Sequence, residues 1–387
     1  MSRRGESDPA MTKPNPLFEP LTLVDGLTLR NRVVMAPMTT WSADDDLTVS
    51  DQELAYYRRR VGGVGLVITG CTHVTPEGIG FTHEYASDED RFTPGLTRLA
   101  EATKSGGAKA ILQIFHAGAR ALPELAPGGE IVSASAVTGE PSPFAPCDVP
   151  ARALTEAEIL DIVTAFGAAT RRAIEAGFDG VELHGAHGFL LPNFFSPLYN
   201  LRTDAWGGSL ESRLRFPLAV IAEAKRVIAE QADRPFVLGY RVSPEEVGEG
   251  GIRIADTRYL IDALIEGGVD YIHASLASVL DARPMDDEQG ETIAEQVVAH
   301  VAGRVPVLAA GQVRTPAQAE QALDRGLSLV AVGQGLIMNP DWVELARTDR
   351  ADEIVTTLDV ATLPDLALPA KLWGIIDSAT GWFTIKR

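Results

Sequence analysis

Short apolar runs punctuate the chain at near-regular intervals. Val, Ile, Leu and Ala dominate Arg32 to Met38, Gly65 to Val74, Ala108 to His116, Gly177 to His187, Pro235 to Ser243, Val269 to Ser275, Val305 to Val313 and Leu327 to Gly335. None of these runs alternates apolar with polar residues, so each predicts a strand buried on both faces. The segments between them carry helical spacing. It is clearest in Leu154 to Gly177, where Ile159, Ile162, Val163, Phe166 and Ala169 fall on one face. Thr155 with Glu158 and Thr315 with Gln318 match the capping box, and Pro316 stands at a first helical position. Gly177, Gly267 and Gly326 stand where helices should stop. Buried strands alternating eight times with helices, over about 300 residues, predict a closed (β/α)8 barrel.

An open, doubly wound sheet is the competing architecture. It calls for a glycine-rich phosphate turn after the first strand, whereas Met35 to Trp41 reads MAPMTTW. Two segments fall outside the regular repeat. Leu122 to Ala153, rich in Pro, Gly, Ser and Ala, predicts an excursion over the top face after strand three. Leu363 to Arg387 follows the last barrel helix as a C-terminal tail. Its Trp373, Trp382 and Phe383 could pack on their own barrel or reach a neighbouring subunit, which leaves a homo-oligomer open. Residues 1–14 predict a flexible tail ahead of one domain spanning 15–387.

Composition narrows the functional classes. With 45% hydrophobic and 22% charged residues the chain can bury a large core, which excludes wholesale disorder. Its charge is 34 − 53 = −19 with no Lys/Arg cluster, so nucleic acid and anionic lipid would repel it and small molecules are the expected partners. No apolar run reaches the roughly 18 residues of a membrane span. Two cysteines, Cys71 and Cys147, cannot build a disulfide framework, and a reducing cytoplasm is the expected location.

Chemistry in such a barrel belongs at the carboxyl ends of the strands. His73, His116, His184, His187 and His273 lie at or just past those ends. Gln113 and Arg241 interrupt apolar runs, where an amide or a guanidinium is costly unless a partner or ligand satisfies it. Gly311 and Gly333 close the seventh and eighth runs, where barrels often bind a phosphate group. The His184–His187 spacing also suits a metal, but two histidines without a third ligand make a poor zinc site, so no metal is expected. Cys71, at an apolar strand end with no adjacent base, is a poor nucleophile. A flavin-free barrel enzyme acting on a phosphorylated substrate stays open. It would want a strand-end lysine or carboxylate base, and Lys109 lies at the start of its strand.

Several motifs, in order, carry a family resemblance from Pro16 to about Phe383. They are NRVVMAPMT at Asn31 to Thr39, Gln113 with His116-Ala117-Gly118, HGAHG at His184 to Gly188, RTDAWGGSLESRLRF at Arg202 to Phe216, Arg241-Val242-Ser243 and the two strand-closing glycines. Together they resemble the old yellow enzyme family of FMN-dependent NAD(P)H:flavin oxidoreductases. The resemblance implies an FMN across the barrel mouth that takes hydride from NADPH or NADH and passes it to an activated alkene. It implies cofactor contacts from Ala36, Pro37, Met38, Thr39, Cys71, Gln113, Arg241, Gly311, Gln312, Gly333 and Gln334. His184 and His187 would hydrogen-bond a substrate carbonyl or nitro oxygen, Thr39 would tune the flavin, and Trp41 and Phe189 would border the substrate. Quinone or nitro reduction, ketone desaturation, and flavin binding with little turnover are alternatives. Three residues depart from the family pattern. Phe189 replaces the usual proton-donating tyrosine, Gln334 replaces an arginine that pairs with the FMN phosphate, and Thr39 stands where one branch has cysteine. Water or Tyr199 could then supply the proton, and an uncharged Gln334 predicts weaker FMN retention.

Overall fold

The computed structural model describes residues 15–139 and 149–387. The predicted 1–14 tail and Cys147 lie outside the described residues. Eight parallel strands close into a barrel. They are β1 (Val33–Met35), β2 (Leu66–His73), β3 (Lys109–Phe115), β4 (Gly180–Gly185), β5 (Val237–Val242), β6 (Tyr271–Ser275), β7 (Val307–Ala310) and β8 (Leu329–Val332), with β8 pairing back onto β1. Each lies inside one of the eight apolar runs. The seventh and eighth runs overshoot their strands, because Gly311–Val313 have already turned into the loop over the mouth and Gly333 caps the helix that begins at Gln334.

Successive strand residues serve two different cores, which is why the runs show no polar alternation. Val33 and Met35 pack outward with the helices, while Val34 and Ala36 point inward with Leu66, Ile68, Ile111, Val237, Leu308 and Leu329. A hairpin of Leu21–Val24 and Leu27–Leu29, which the sequence reading did not single out, adds Leu23, Leu27 and Leu29 to the interior cluster. The helices are α1 (Asp51–Arg60), α2 (Thr93–Lys104), α3 (Glu156–Glu175), α4 (Leu190–Phe195), α5 (Leu210–Gln231), α6 (Ile254–Glu266), α7 (Ile293–Val301), α8 (Pro316–Asp324), α9 (Gln334–Met338), α10 (Trp342–Arg347), α11 (Leu363–Leu366) and α12 (Ala370–Ser378). Both expected capping boxes form, at Thr155–Glu158 and Thr315–Gln318. Gly177 and Gly326 take the left-handed backbone past α3 and α8, but after α6 that role falls to Gly268, with Gly267 still right-handed.

The described parts of the two irregular segments pack on the rest of the molecule. In the excursion, Val132–Ser133 pairs with Arg152–Ala153, and Ser133 Oγ donates to Asn193 Oδ1 of α4 at 3.1 Å. The C-terminal tail folds back on its own barrel. Ile385–Lys386 pairs with Leu358–Asp359, Arg60 Nη2 in α1 donates to the Leu366 carbonyl at 2.5 Å, and Trp382 meets Trp41 edge to face at 6.2 Å. No helix among the described residues is long and apolar enough to cross a membrane.

Candidate active site

The carboxyl ends of the strands enclose a cleft of two adjoining lobes, about 190 and 240 Å3, with Pro37, Met38 and Arg241 as shared walls. The first lobe is bordered by Ala36 and the β7 and β8 loops, with Gly311, Gln312, Gly333 and Gln334. Thr39, Trp41, Cys71, Gln113, His184, His187 and Phe189 line the second. The cleft therefore collects the residues for which the resemblance implied cofactor or substrate contacts, whereas His73, His116, His273 and Tyr199 do not line it. The sequence reading had missed Arg314 and Ser275 in the first lobe and Phe81 and Trp382 in the second.

Local backbone devices bring these groups together. The β2–β3 register slips between Ile68 and Cys71, which sets Cys71 opposite Gln113. Within that bulge Gly70 has no side chain because a Cβ there would lie 2.7 Å from the Met38 carbonyl oxygen, so only glycine lets the β1 loop come this close. A Cβ on Gly311 would likewise lie 2.4 Å from the Leu276 carbonyl oxygen. Trp41, His187 and Gln312 all take left-handed backbone, with φ of 49°, 61° and 55°. Such conformations cost of order 1 kcal/mol each for residues with side chains and cluster at working sites.

Beneath the cleft lies a carboxylate the sequence reading passed over. Glu182 of β4 is fully buried and accepts from Gln113 Nε2 at 2.6 Å, Tyr271 Oη at 2.9 Å and His273 Nδ1 at 2.9 Å. Burial pushes its pKa up, but His273, Arg241 and Gln113 outweigh burial and hold it below the usual carboxylate value. The anion in turn favours the buried Arg241 guanidinium, whose pKa burial lowers. Arg241 Nη2 donates to Ser275 Oγ at 3.1 Å, and its Nε is buried with no hydrogen-bond partner among the described residues. The signal for Glu182 was a single acidic residue in the otherwise apolar VELHG strand.

The five strand-end histidines divide by task. His73 Nδ1 lies 2.5 Å from Glu84 Oε1, His116 Nδ1 accepts from the Gly118 N–H at 2.9 Å, and His273 belongs to the Glu182 network. Only His184 and His187 line the cleft, their rings 4.9 Å apart. Burial, then His187, Arg241 and His273, hold the His184 pKa well below its ordinary 6.5, so the ring is neutral near pH 7. Its Nδ1 accepts from the Ala186 N–H at 3.4 Å, which leaves the remaining proton on Nε2 as a donor. His187 is shifted the same way by burial, Arg241, Arg120 and His273. Its ring is open to the mouth, so burial acts on it less completely than on His184. His187 Nε2 lies 2.8 Å from Ser275 Oγ.

Aromatic rings complete the wall. Phe189 packs edge-on to His184 at 4.8 Å and Phe115 at 4.9 Å, and Phe81 meets both Phe189 and Trp41. Burial drives the Cys71 thiol far above its ordinary pKa, consistent with an unreactive packing role beside Thr39. Tyr199 lines a separate pocket on the other side of His187, with Arg120 and Glu245.

Comparison with known proteins shows the family. Residues 16–353 match the NADH:flavin oxidoreductase / NADH oxidase family. The chain belongs to that family. The flavin oxidoreductase is 41% identical over 374 residues to the probable NADH-dependent flavin oxidoreductase YqiG of Bacillus subtilis (strain 168), covering 97% of this chain and 99% of that protein. It is 40% identical over 366 residues to the NADH:fumarate oxidoreductase of Klebsiella pneumoniae (strain 342), covering 94% of this chain but only 39% of that longer protein. A structure of morphinone reductase in complex with tetrahydroNAD superimposes with a TM-score of 0.74 at 30% identity, covering 87% of this chain and 91% of that one. The protein is thus an FMN-dependent NAD(P)H oxidoreductase of the old yellow enzyme family.

Proposed function

We propose that FMN lies along both lobes and that the enzyme reduces a C=C bond conjugated to a carbonyl or similar oxygen. When bound, FMN supplies the hydride chemistry that links a nicotinamide to the alkene. The residues fit that cofactor. The glycine-bordered lobe has room for a phosphate and its lining contains no acidic side chain. Arg241 stands where the two lobes meet and Gln113 lines the second, and the unpartnered Arg241 Nε would suit an electron-rich edge of the flavin that gains negative charge on reduction.

The observation that carries the alkene reading is the pair of histidine rings that line the cleft 4.9 Å apart, with buried His184 held neutral. His184 Nε2–H and the His187 ring offer donors to one substrate oxygen, drawing electron density from the conjugated alkene. A neutral imidazole N–H still donates to the oxygen and so can polarise it without carrying a full charge. Phe81 and Phe189 give the pocket an apolar wall, backed by Phe115. Two relatives, NADH:fumarate and NADH:acrylate oxidoreductase, are named for acceptors of this alkene class, although the chain spans only 39% and 36% of their lengths.

Phe189 favours a second reading. A phenyl ring beside His184 cannot deliver a proton, which suits acceptors such as quinones or nitro compounds that need no proton placed on carbon. An anaerobic titration with NADPH and then NADH, followed by cyclohexenone, separates the two. Bleaching of the flavin absorbance and its recovery on adding the enone is the expected result. Bleaching with recovery only on quinones or nitro compounds would overturn the alkene reading.

A further inference from the structure

The residue after the strand-eight glycine is the uncharged Gln334, yet the phosphate lobe is not without a cation. We propose that Arg314, from the loop after β7, is the guanidinium that holds the FMN phosphate, and that Gln334 is there to aim it. The inference rests on the placement of the phosphate in the glycine-bordered lobe.

Arg314 lines that lobe beside Gly311, Gln312 and Gly333. Its Nε and Nη2 both donate to Gln334 Oε1, at 3.0 and 2.7 Å. Gln334 Nε2 donates to the Trp382 carbonyl at 2.6 Å, so the amide's orientation is set from both ends and its oxygen must face the guanidinium. Nη1 makes no hydrogen bond among the described residues, and no carboxylate lines the lobe to neutralise the charge. An anion is the missing partner.

The arrangement is also held in advance. The Arg314 N–H donates to Gln318 Oε1 at 2.9 Å and its carbonyl accepts from Trp342 Nε1 at 2.7 Å, so backbone and side chain are both tied down before a ligand arrives. A Cβ on Gly335 would lie 3.0 Å from the Arg314 carbonyl oxygen, and this closeness of the β7 and β8 loops lets a side chain from one stand in for a charge on the other. An arginine at 334 could not accept from Arg314 and would set two cations together. Glutamine at 334 and arginine at 314 therefore work as a pair.

The test compares FMN with riboflavin, which lacks the phosphate. Each is titrated into the flavin-stripped full chain, and flavin fluorescence gives the two dissociation constants. In the unaltered protein FMN should bind more tightly than riboflavin. Arg314→Ala should weaken FMN roughly 10- to 100-fold, the usual worth of a charged hydrogen-bonding partner, and leave riboflavin unchanged. Gln334→Arg alone should not tighten FMN. Combined with Arg314→Ala it should restore most of the lost affinity, because the charge returns to the same lobe from the other loop. An Arg314→Ala protein that binds FMN as before, or that loses FMN and riboflavin equally, would overturn the role of Arg314. Equal affinity for FMN and riboflavin in the unaltered protein would instead remove the phosphate from this lobe and the proposal with it.

Discussion

His184 shows how much a single side chain's environment decides. An unfolded histidine titrates near pH 6.5, and buried His184 titrates well below that. Between those values the unfolded chain binds more protons than the folded one, so stability falls as pH drops below about 6.5. His184→Gln should flatten that part of the curve, and denaturant unfolding from about pH 5 to 8 measures it; an unchanged slope would mean that His184 is not held neutral. Glu182 carries the opposite charge logic. Glu182→Gln would leave Arg241 and His273 without their anion, costing about 3 kcal/mol or more by the usual measure of a broken buried pair. A loss under about 1 kcal/mol in thermal or chemical unfolding would show that the network is solvated rather than dry. Phe189 sits edge-on to His184 and lines the second lobe, so a hydroxyl on its ring would add a proton donor there. Phe189→Tyr should raise turnover with enones, by up to about 10- to 100-fold if protonation limits the rate, and leave reduction of the flavin by NAD(P)H unchanged; equal or lower enone turnover would show that the proton already comes from elsewhere.

Loops at the strand ends, rather than the strands themselves, set the shape of the cleft. Gly311 illustrates the constraint, since a Cβ there would lie 2.4 Å from the Leu276 carbonyl oxygen and neither backbone can easily yield. Gly311→Ala should displace the β7 loop, cost about 1–3 kcal/mol of stability and weaken flavin binding; crystallography or flavin titration of the variant checks both. The C-terminal tail is the other shaping element. Trp382 lines the second lobe, packs on Trp41 and gives its carbonyl to Gln334, so a segment remote in sequence closes one wall and steadies the other lobe. Removing residues 381–387 should therefore raise the KM for bulky enones and loosen FMN together, which a change in only one of the two would contradict.

Across the whole molecule, the barrel was legible because its physics is repetitive. A strand with the helix layer on one side and the barrel interior on the other is apolar on both faces over most of its length, as Val33, Val34 and Met35 are. That pattern, with capping boxes such as Thr155–Glu158, is written in local sequence. So were the strand-end His, Gln, Arg and Gly residues, since polar groups inside apolar runs stand out wherever they occur. What local sequence could not express were relations between residues far apart in the chain. Glu182 looked like one acid in an apolar strand until the fold set Gln113, Tyr271 and His273 around it. Five histidines shared one signature, and only packing separated the two at the cleft from the three turned to structural partners. Gln334 read as a lost charge until tertiary structure brought Arg314 onto it from the neighbouring loop and Trp382 from the tail. The sequence by itself determined the barrel, the ends at which chemistry gathers and the residue types available there. The tertiary structure alone decided which of them touch, because hydrogen bonds and charge pairing depend on distances of a few ångströms that chain spacing does not encode.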